Sequence, residues 1–174
     1  QIEMRSGFVR ERMRDLFGPH RSVTPYLMVG SIEVRKNHHY AIDAMESLWS
    51  QSLDVQLMII GRIGWQGKPV VERIHKHPEY GKRLHLSHDV TDVELNYAYS
   101  NCRGVLMPSL TEGFGLPIVE ALWHGRQPFV SNIPSHREVG QDACFYCDVT
   151  SPSTLADLLH DWELKWPQQR PQVS

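Results

Sequence analysis

Glu112 and Glu120 bracket the stretch EGFGLPIVE, with Gly113, Phe114, Gly115, Leu116 and Pro117 between them. Glycine lets the main chain approach another group closely. Proline suits the first turn of a helix, because its missing N–H would have had no partner there. The stretch therefore reads as a tight loop feeding a helix that opens near Pro117. Free N–H groups around Gly113–Ile118, helped by the helix dipole, favour an anion such as a phosphate or diphosphate. Glu112, on the strand side of the loop, can point into a cleft and accept hydrogen bonds from hydroxyls. Glu120 lies in the first helical turn, where a carboxylate also offsets the dipole. The plain alternative for Glu112 is a solvated loop carboxylate. A glycosidase-like pair of acid and nucleophile is a further reading, but it leaves the anion-ready helix start unexplained.

A diphosphate needs cations as well. Arg35 and Lys36, in EVRKN, follow the first apolar run of the chain. Lysine offers a mobile point charge and arginine a forked contact. In open α/β sheets ligands bind beyond the carboxyl ends of strands, and both segments sit after strand-like runs.

Those runs recur along the chain. PYLMVG (25–30), DVQLMIIG (54–61), RLHLS (83–87), GVLMPS (104–109), QPFVSN and ACFYCDV read as strands. Helical patterning follows in NHHYAIDAMESLW, near Val70–Pro78, in TDVELNYAYS, in PIVEALWHG and over Thr154–Trp162. Thr91 and Glu94 are spaced as a capping box, and Gly125 reads as a helix C-cap. This alternation predicts an α/β fold, a Rossmann-like parallel sheet with helices on both faces. Near-continuous apolar strands agree with a sheet covered on both sides.

The 174 residues suffice for one domain with a proper core, and the net charge of -2 does not suggest a nucleic-acid binder. The three cysteines fit a reducing compartment better than a disulfide scaffold. Cys144 and Cys147 form a CxxC on a strand-like stretch, where positions three apart face opposite sides, so buried apolar thiols are expected. The histidine clusters lack companions at metal-ligand spacing. Trp162 and Trp166, one helical turn apart, either pack under the final helix or dock on another domain. Arg5, Arg10, Arg12 and Arg14 near Phe8, Met13 and Leu16 suggest an interdomain connector rather than a membrane-surface segment. The chain lacks an initiator methionine and reads as a piece of a longer protein.

EGFGLPIVE, with Glu112 and Glu120 as its paired glutamates, resembles the E-x7-E signature of retaining GT-B glycosyltransferases of family GT4, the glycosyl transferases group 1. VGSIEVRKN is similar to the first-strand motif of the same group, and VTDVELNYAYSNCRGVLMPSLTEGFG to its central stretch. The likeness runs from about Tyr26 to Trp162. It implies the carboxy-terminal half of a GT-B fold: a connector over 1–24, a nucleotide-sugar-binding domain over 25–163 and a tail over 164–174. A separate amino-terminal domain of the same chain would hold a glycan or lipid-linked acceptor.

By the same resemblance, Lys36 and Arg35 would contact the donor diphosphate beside Gly30 and Ser31. Main-chain groups of Gly113, Phe114, Gly115 and Leu116 would meet the donor sugar and phosphates. Glu112 would hold sugar hydroxyls, Glu120 the ribose, and Val90 and Asp92 the base. Glu112 and Lys36 are the candidate catalytic groups, with no metal and no cofactor; the sugar nucleotide is a substrate. Ser31 departs from the arginine that many members carry there, which takes one cation from the diphosphate. The IExRKN form is most similar to bacterial mannosyltransferases of surface polysaccharides, which implies GDP-mannose. The location implied is cytoplasmic, with peripheral membrane contact through the full-length protein left open. The alternatives are a non-catalytic nucleotide-sugar-binding module and a related GT-B enzyme such as a sugar-nucleotide epimerase or glycogen-type synthase.

Overall fold

The computed structural model describes residues 7–18 and 20–169. After helix α1 (Glu11–Phe17) the chain alternates strand and helix: β1 (Tyr26–Val29), α2 (His38–Ser50), β2 (Leu57–Ile60), α3 (Lys68–Lys76), β3 (Leu84–Ser87) and α4 (Asp92–Asn101). It continues through β4 (Gly104–Met107), α5 (Leu116–Trp123), β5 (Pro128–Ser131), α6 (Pro134–Gly140), β6 (Phe145–Cys147) and α7 (Pro152–Gln169). All six strands are parallel, in the order β3-β2-β1-β4-β5-β6.

Alternation along the strands divides the core. Tyr26, Met28, Leu57, Ile59, Leu84, Leu106 and Phe129 pack with α2, α3 and α7 on one face. Leu27, Met58, Ile60 and Val105 pack with α1, α4 and α5 on the other. Side chains two apart on a strand share a face, so the inner runs are apolar at nearly every position, while the edge strand β3 carries His85 and Ser87. Cys147 joins the first cluster, and Cys144 packs with Met107, Ile118 and Val130 in a third. Both thiols are free and buried, and burial pushes Cys144 up to about 11. The helix ends also follow the sequence. Thr91 Oγ1 accepts from the Glu94 N–H at 3.2 Å, and Glu94 accepts in return from the Thr91 N–H at 3.2 Å. At the end of α5, Gly125 takes φ +67. Its N–H donates to Leu122 O at 3.0 Å, and the Arg126 N–H reaches Ala121 O at 2.8 Å. That double closure needs a left-handed residue, which glycine supplies without strain.

The structure differs from the sequence expectation in three places. Residues 11–17, expected within a connector, form α1, whose Met13 and Phe17 are fully buried against α4 and its neighbours. Residues 134–140 form α6, which no periodicity announced. The final helix runs on to Gln169, past the expected end at Trp162 and into the segment assigned to the tail. Trp162 is packed rather than displayed: its ring meets Phe129 and Trp166, and Nε1 donates to Arg103 O at 3.0 Å. Arg5 and residues 170–174 lie outside the described residues. Among the described residues no helix is long and apolar enough to cross a membrane.

Candidate active site

Strand order runs outward in both directions from the β1–β4 pair, so the loops leaving these two strands diverge and open a crevice between them. The loop after β1 carries Arg35 and Lys36, and the loop after β4 carries Glu112. They are stitched together at the root. The Leu110 N–H donates to Arg35 O at 2.8 Å, and Asn37 Nδ2 donates to Pro108 O at 3.0 Å. Gly30 adopts φ +130 where β1 ends, and a Cβ there would meet Lys36 Cε at 3.7 Å. Lys36 therefore lies back across Gly30 toward the other loop.

There it meets Glu112. Lys36 Nζ donates to Glu112 Oε2 at 2.7 Å, and Arg35 Nη1 to Oε1 at 3.1 Å. Arg35 also pairs with Glu33 at 2.7 Å. Only 13% of the Lys36 side chain and 8% of the Glu112 side chain are exposed. Burial alone would push the Glu112 carboxyl up. The hydrogen bonds and charges of Lys36 and Arg35 outweigh it and hold the group below the ordinary carboxylate range. His38, just beyond Lys36, is buried and held neutral at about 4, first by burial and then by the Lys36 charge.

The crevice has a volume of about 680 Å³. Gly30, Arg35 and Lys36 line one wall, and Glu112, Gly113, Phe114, Leu116, Pro117 and Glu120 line another. The third wall is α4, through Asp92, Leu95, Asn96 and Tyr99. At the start of α5, the Ile118 and Val119 N–H groups donate to Gly115 O at 3.0 and 3.1 Å. The N–H groups of Gly113, Phe114 and Leu116 find no main-chain acceptor among the described residues. Phe114 stands at the rim, 81% exposed. A Cβ on Gly113 would meet nothing within 4 Å, so packing within the chain does not demand glycine there.

Most expected residues therefore converge, with three exceptions. Ser31 is exposed and Val90 is partly buried against the α1–α4 core, and neither lines the crevice. Gly115 does not line it either; a Cβ there would press on Val139 of α6 at 3.1 Å, so that glycine serves packing. Sequence reasoning missed Leu95, Asn96 and Tyr99. Their spacing with Asp92 at i+3, i+4 and i+7 marks one helix face, but not which face meets a cleft. The Tyr99 ring stacks on His124 at 5.3 Å. Burial, then the Glu120 charge, push its phenol well up, so it stays protonated. Among the described residues no group of three or more His, Cys, Asp and Glu could hold a metal ion.

Such an arrangement can grip a diphosphate between lysine and free amides while carboxylates accept from hydroxyls. The family model for glycosyl transferases group 1 matches residues 19–172. The chain is 32% identical over 137 residues to the serotype-specific mannosyltransferase WbdA of Escherichia coli, covering 79% of this chain and 17% of that protein. It is 32% identical over 123 residues to the O-antigen chain mannosyltransferase B of Escherichia coli, covering 70% of this chain and 32% of that one. The chain thus spans about a sixth to a third of the length of these relatives. The fold matches the crystal structure of the C-terminal domain of a glycosyl transferase group 1 family protein (LpcC) from Francisella tularensis. That match has TM-score 0.68 and 17% identity over 95% of this chain and 89% of that one. An E-x7-E loop and a first-strand lysine that meet at the switch point of a Rossmann-like sheet agree with the model match over nearly the whole chain: the protein belongs to the glycosyl transferases group 1 family.

Proposed function

We propose that this chain is the donor-binding half of a retaining hexosyltransferase that takes mannose from GDP-mannose. The acceptor would be a glycan or a lipid-linked sugar in surface polysaccharide synthesis, held by an amino-terminal domain of the same protein. The observation that carries this reading is one crevice lined both by the Lys36 and Arg35 pairs with Glu112 and by the Gly113, Phe114 and Leu116 N–H groups, which find no main-chain acceptor among the described residues. Mannose rests on the similarity to WbdA and mannosyltransferase B.

In this reading the diphosphate lies between Lys36 and the amides of Gly113–Leu116. The vacant space over Gly113 lets it come close to the main chain. Glu112 accepts from sugar hydroxyls, Glu120 from the ribose, and Asp92 lies beside the base. When the sugar–oxygen bond breaks, negative charge grows on the leaving phosphate, where preorganised donors stabilise it most. The acceptor hydroxyl attacks from the same face and yields its proton to the departing oxygen, so the anomeric configuration is retained. No metal enters the scheme. Closure against the acceptor domain excludes water. The protein would work in the cytoplasm, at the inner face of the membrane.

A second reading, a binding module that has lost transfer, draws on Ser31, which is exposed and supplies no cation. Thermal-shift measurements with GDP, UDP, ADP and their sugar conjugates test the site. A ligand at a hundred times its Kd stabilises by about 2.7 kcal/mol, and GDP-mannose should give the largest shift. A clear preference for UDP removes GDP-mannose, and stabilisation by none of them removes the donor site. Transfer by the full-length protein, lost in Glu112→Ala, separates enzyme from module.

A further inference from the structure

We infer that His136 is a positioning residue for Glu112, acting through a buried hydrogen-bonded relay of Ser131 and Ser109. The inference rests on the donor reading only for what Glu112 holds; the relay itself stands on geometry.

His136, Ser131 and Ser109 are all buried. They come from three separate parts of the chain: α6, the end of β5, and the residue that opens the loop to Glu112. His136 Nδ1 lies 3.1 Å from Ser131 Oγ and 3.0 Å from Ser131 O. Ser131 Oγ donates to Ser109 O at 2.5 Å, and the Ser109 hydroxyl donates to Glu112 Oε2 at 3.2 Å. The directions follow from the atoms. A carbonyl oxygen only accepts, so the Ser131 proton is spent on Ser109 O and its lone pair faces the imidazole. Ser131 O likewise only accepts. Both contacts require the proton on Nδ1 and leave Nε2 bare. That nitrogen is buried without a partner among the described residues. Burial, opposed by the hydrogen bond to Ser131 and the Glu112 charge and aided by the Lys36 charge, lowers the basicity of the ring, so it is neutral near neutral pH.

Glu112 therefore has two kinds of partner. Lys36 and Arg35 hold it from the cleft, and both are cations that an incoming diphosphate also engages. The relay holds it from behind, is neutral, and has no phosphate to answer to. Once the cations are shared with the donor, Ser109 is what keeps the carboxylate aimed at the sugar. Loss of the imidazole N–H frees the Ser131 hydroxyl to turn, releases the Ser109 carbonyl and loosens Glu112. The defect should appear in sugar recognition and spare the phosphates.

Calorimetry with GDP and GDP-mannose (or the pair that thermal shift selects) reads this split in native chain, His136→Phe, His136→Asn and Ser131→Ala. His136→Phe keeps a ring but no donor, and Asn restores a donor near Nδ1. A single hydrogen bond sets the scale at about fivefold to tenfold. His136→Phe and Ser131→Ala should weaken the sugar conjugate by that factor and leave GDP within about twofold, while His136→Asn recovers most of the loss. Equal loss for both ligands, or no loss, overturns the inference. If native chain binds neither ligand, the donor reading fails, and the relay is tested without nucleotide by carbon-13 titration of the Glu112 carboxyl. There Lys36, Arg35 and the Ser109 hydroxyl face the group. Its midpoint should rise in His136→Phe and not in His136→Asn; an unchanged midpoint in both overturns the relay.

Discussion

Lys36 meets its surroundings in three ways at once: its stem crosses Gly30, its ammonium pairs with Glu112, and its charge opposes protonation of His38. Lys36→Ala should therefore have separable effects. It leaves Glu112 mostly buried with Arg35 as its remaining cation, which should cost about 1–3 kcal/mol in urea unfolding. Nucleoside diphosphate affinity should fall about tenfold or more in the same variant, since a charge-assisted contact is lost. The His38 ring should titrate higher, because one of the charges opposing its protonation is gone. Burial remains the larger cause, so the shift falls short of the ordinary value. Proton NMR of the ring checks this, and a downward move would contradict the placement of Lys36. Lys36 was legible because a cation after a strand end has a defined place in such a sheet. His136 was not, since nothing in SNIPSHREVG distinguishes a buried imidazole from a solvated one.

Among the elements, α1 and α6 went unread, and α4 was read only in part. Thr91 and Glu94 were legible as a capping box, and the box is there. Its glutamate also serves Arg10, whose main-chain N–H and guanidinium both donate to it, at 2.9 Å and 2.7 Å. Arg10 continues to Asp89 at 2.9 Å, which clasps the segment ahead of α1 to the end of β3. Burial opposes ionisation of Glu94, but the Arg10 contacts prevail and hold it at about 2 instead of 4.5. A depressed carboxyl stabilises above its unfolded pKa and loses that contribution as pH falls through the folded one. The clasp should therefore contribute about 2–3 kcal/mol near neutrality, less what the half-exposed Arg10 loses to solvent. The stability difference between native chain and Glu94→Gln should shrink between about pH 4.5 and 2. Urea midpoints across that range measure it; a constant difference would contradict the linkage. Charge density along Arg10, Arg12 and Arg14 masked α1, although Met13 and Phe17 sit one turn apart. With seven residues and a leading proline, α6 was too short to show a period.

For the molecule as a whole, the sheet was legible because its inner strands, β1, β2, β4 and β5, are buried on both faces and apolar at nearly every position, whereas the edge strands β3 and β6 carry His85, Ser87 and an exposed Phe145. The crevice was legible only in part. Its two loops follow from strand order, whereas the α4 wall depends on how a helix is rotated, which pattern alone leaves open. The chain spans a fraction of its relatives, and on the proposed reading it holds half of an active site. It should bind its nucleotide and transfer no sugar until joined to the acceptor domain. A product assay comparing the isolated chain with the full-length protein checks this, and robust turnover by the chain alone would refute it.

Since Lys36 and Arg35 are already paired with Glu112 and Glu33, the mouth of the crevice broadcasts little positive potential. Asp92 and Glu120 on its walls tilt the balance the other way. On the proposed reading, an approaching polyanion is then not drawn in from afar; it must first arrive by diffusion and come to share the cations with Glu112 at contact. Added electrolyte, which screens beyond about 8–10 Å, should scarcely slow that encounter. A steep fall of the association rate constant with ionic strength would mean that the cations stand open before the donor comes.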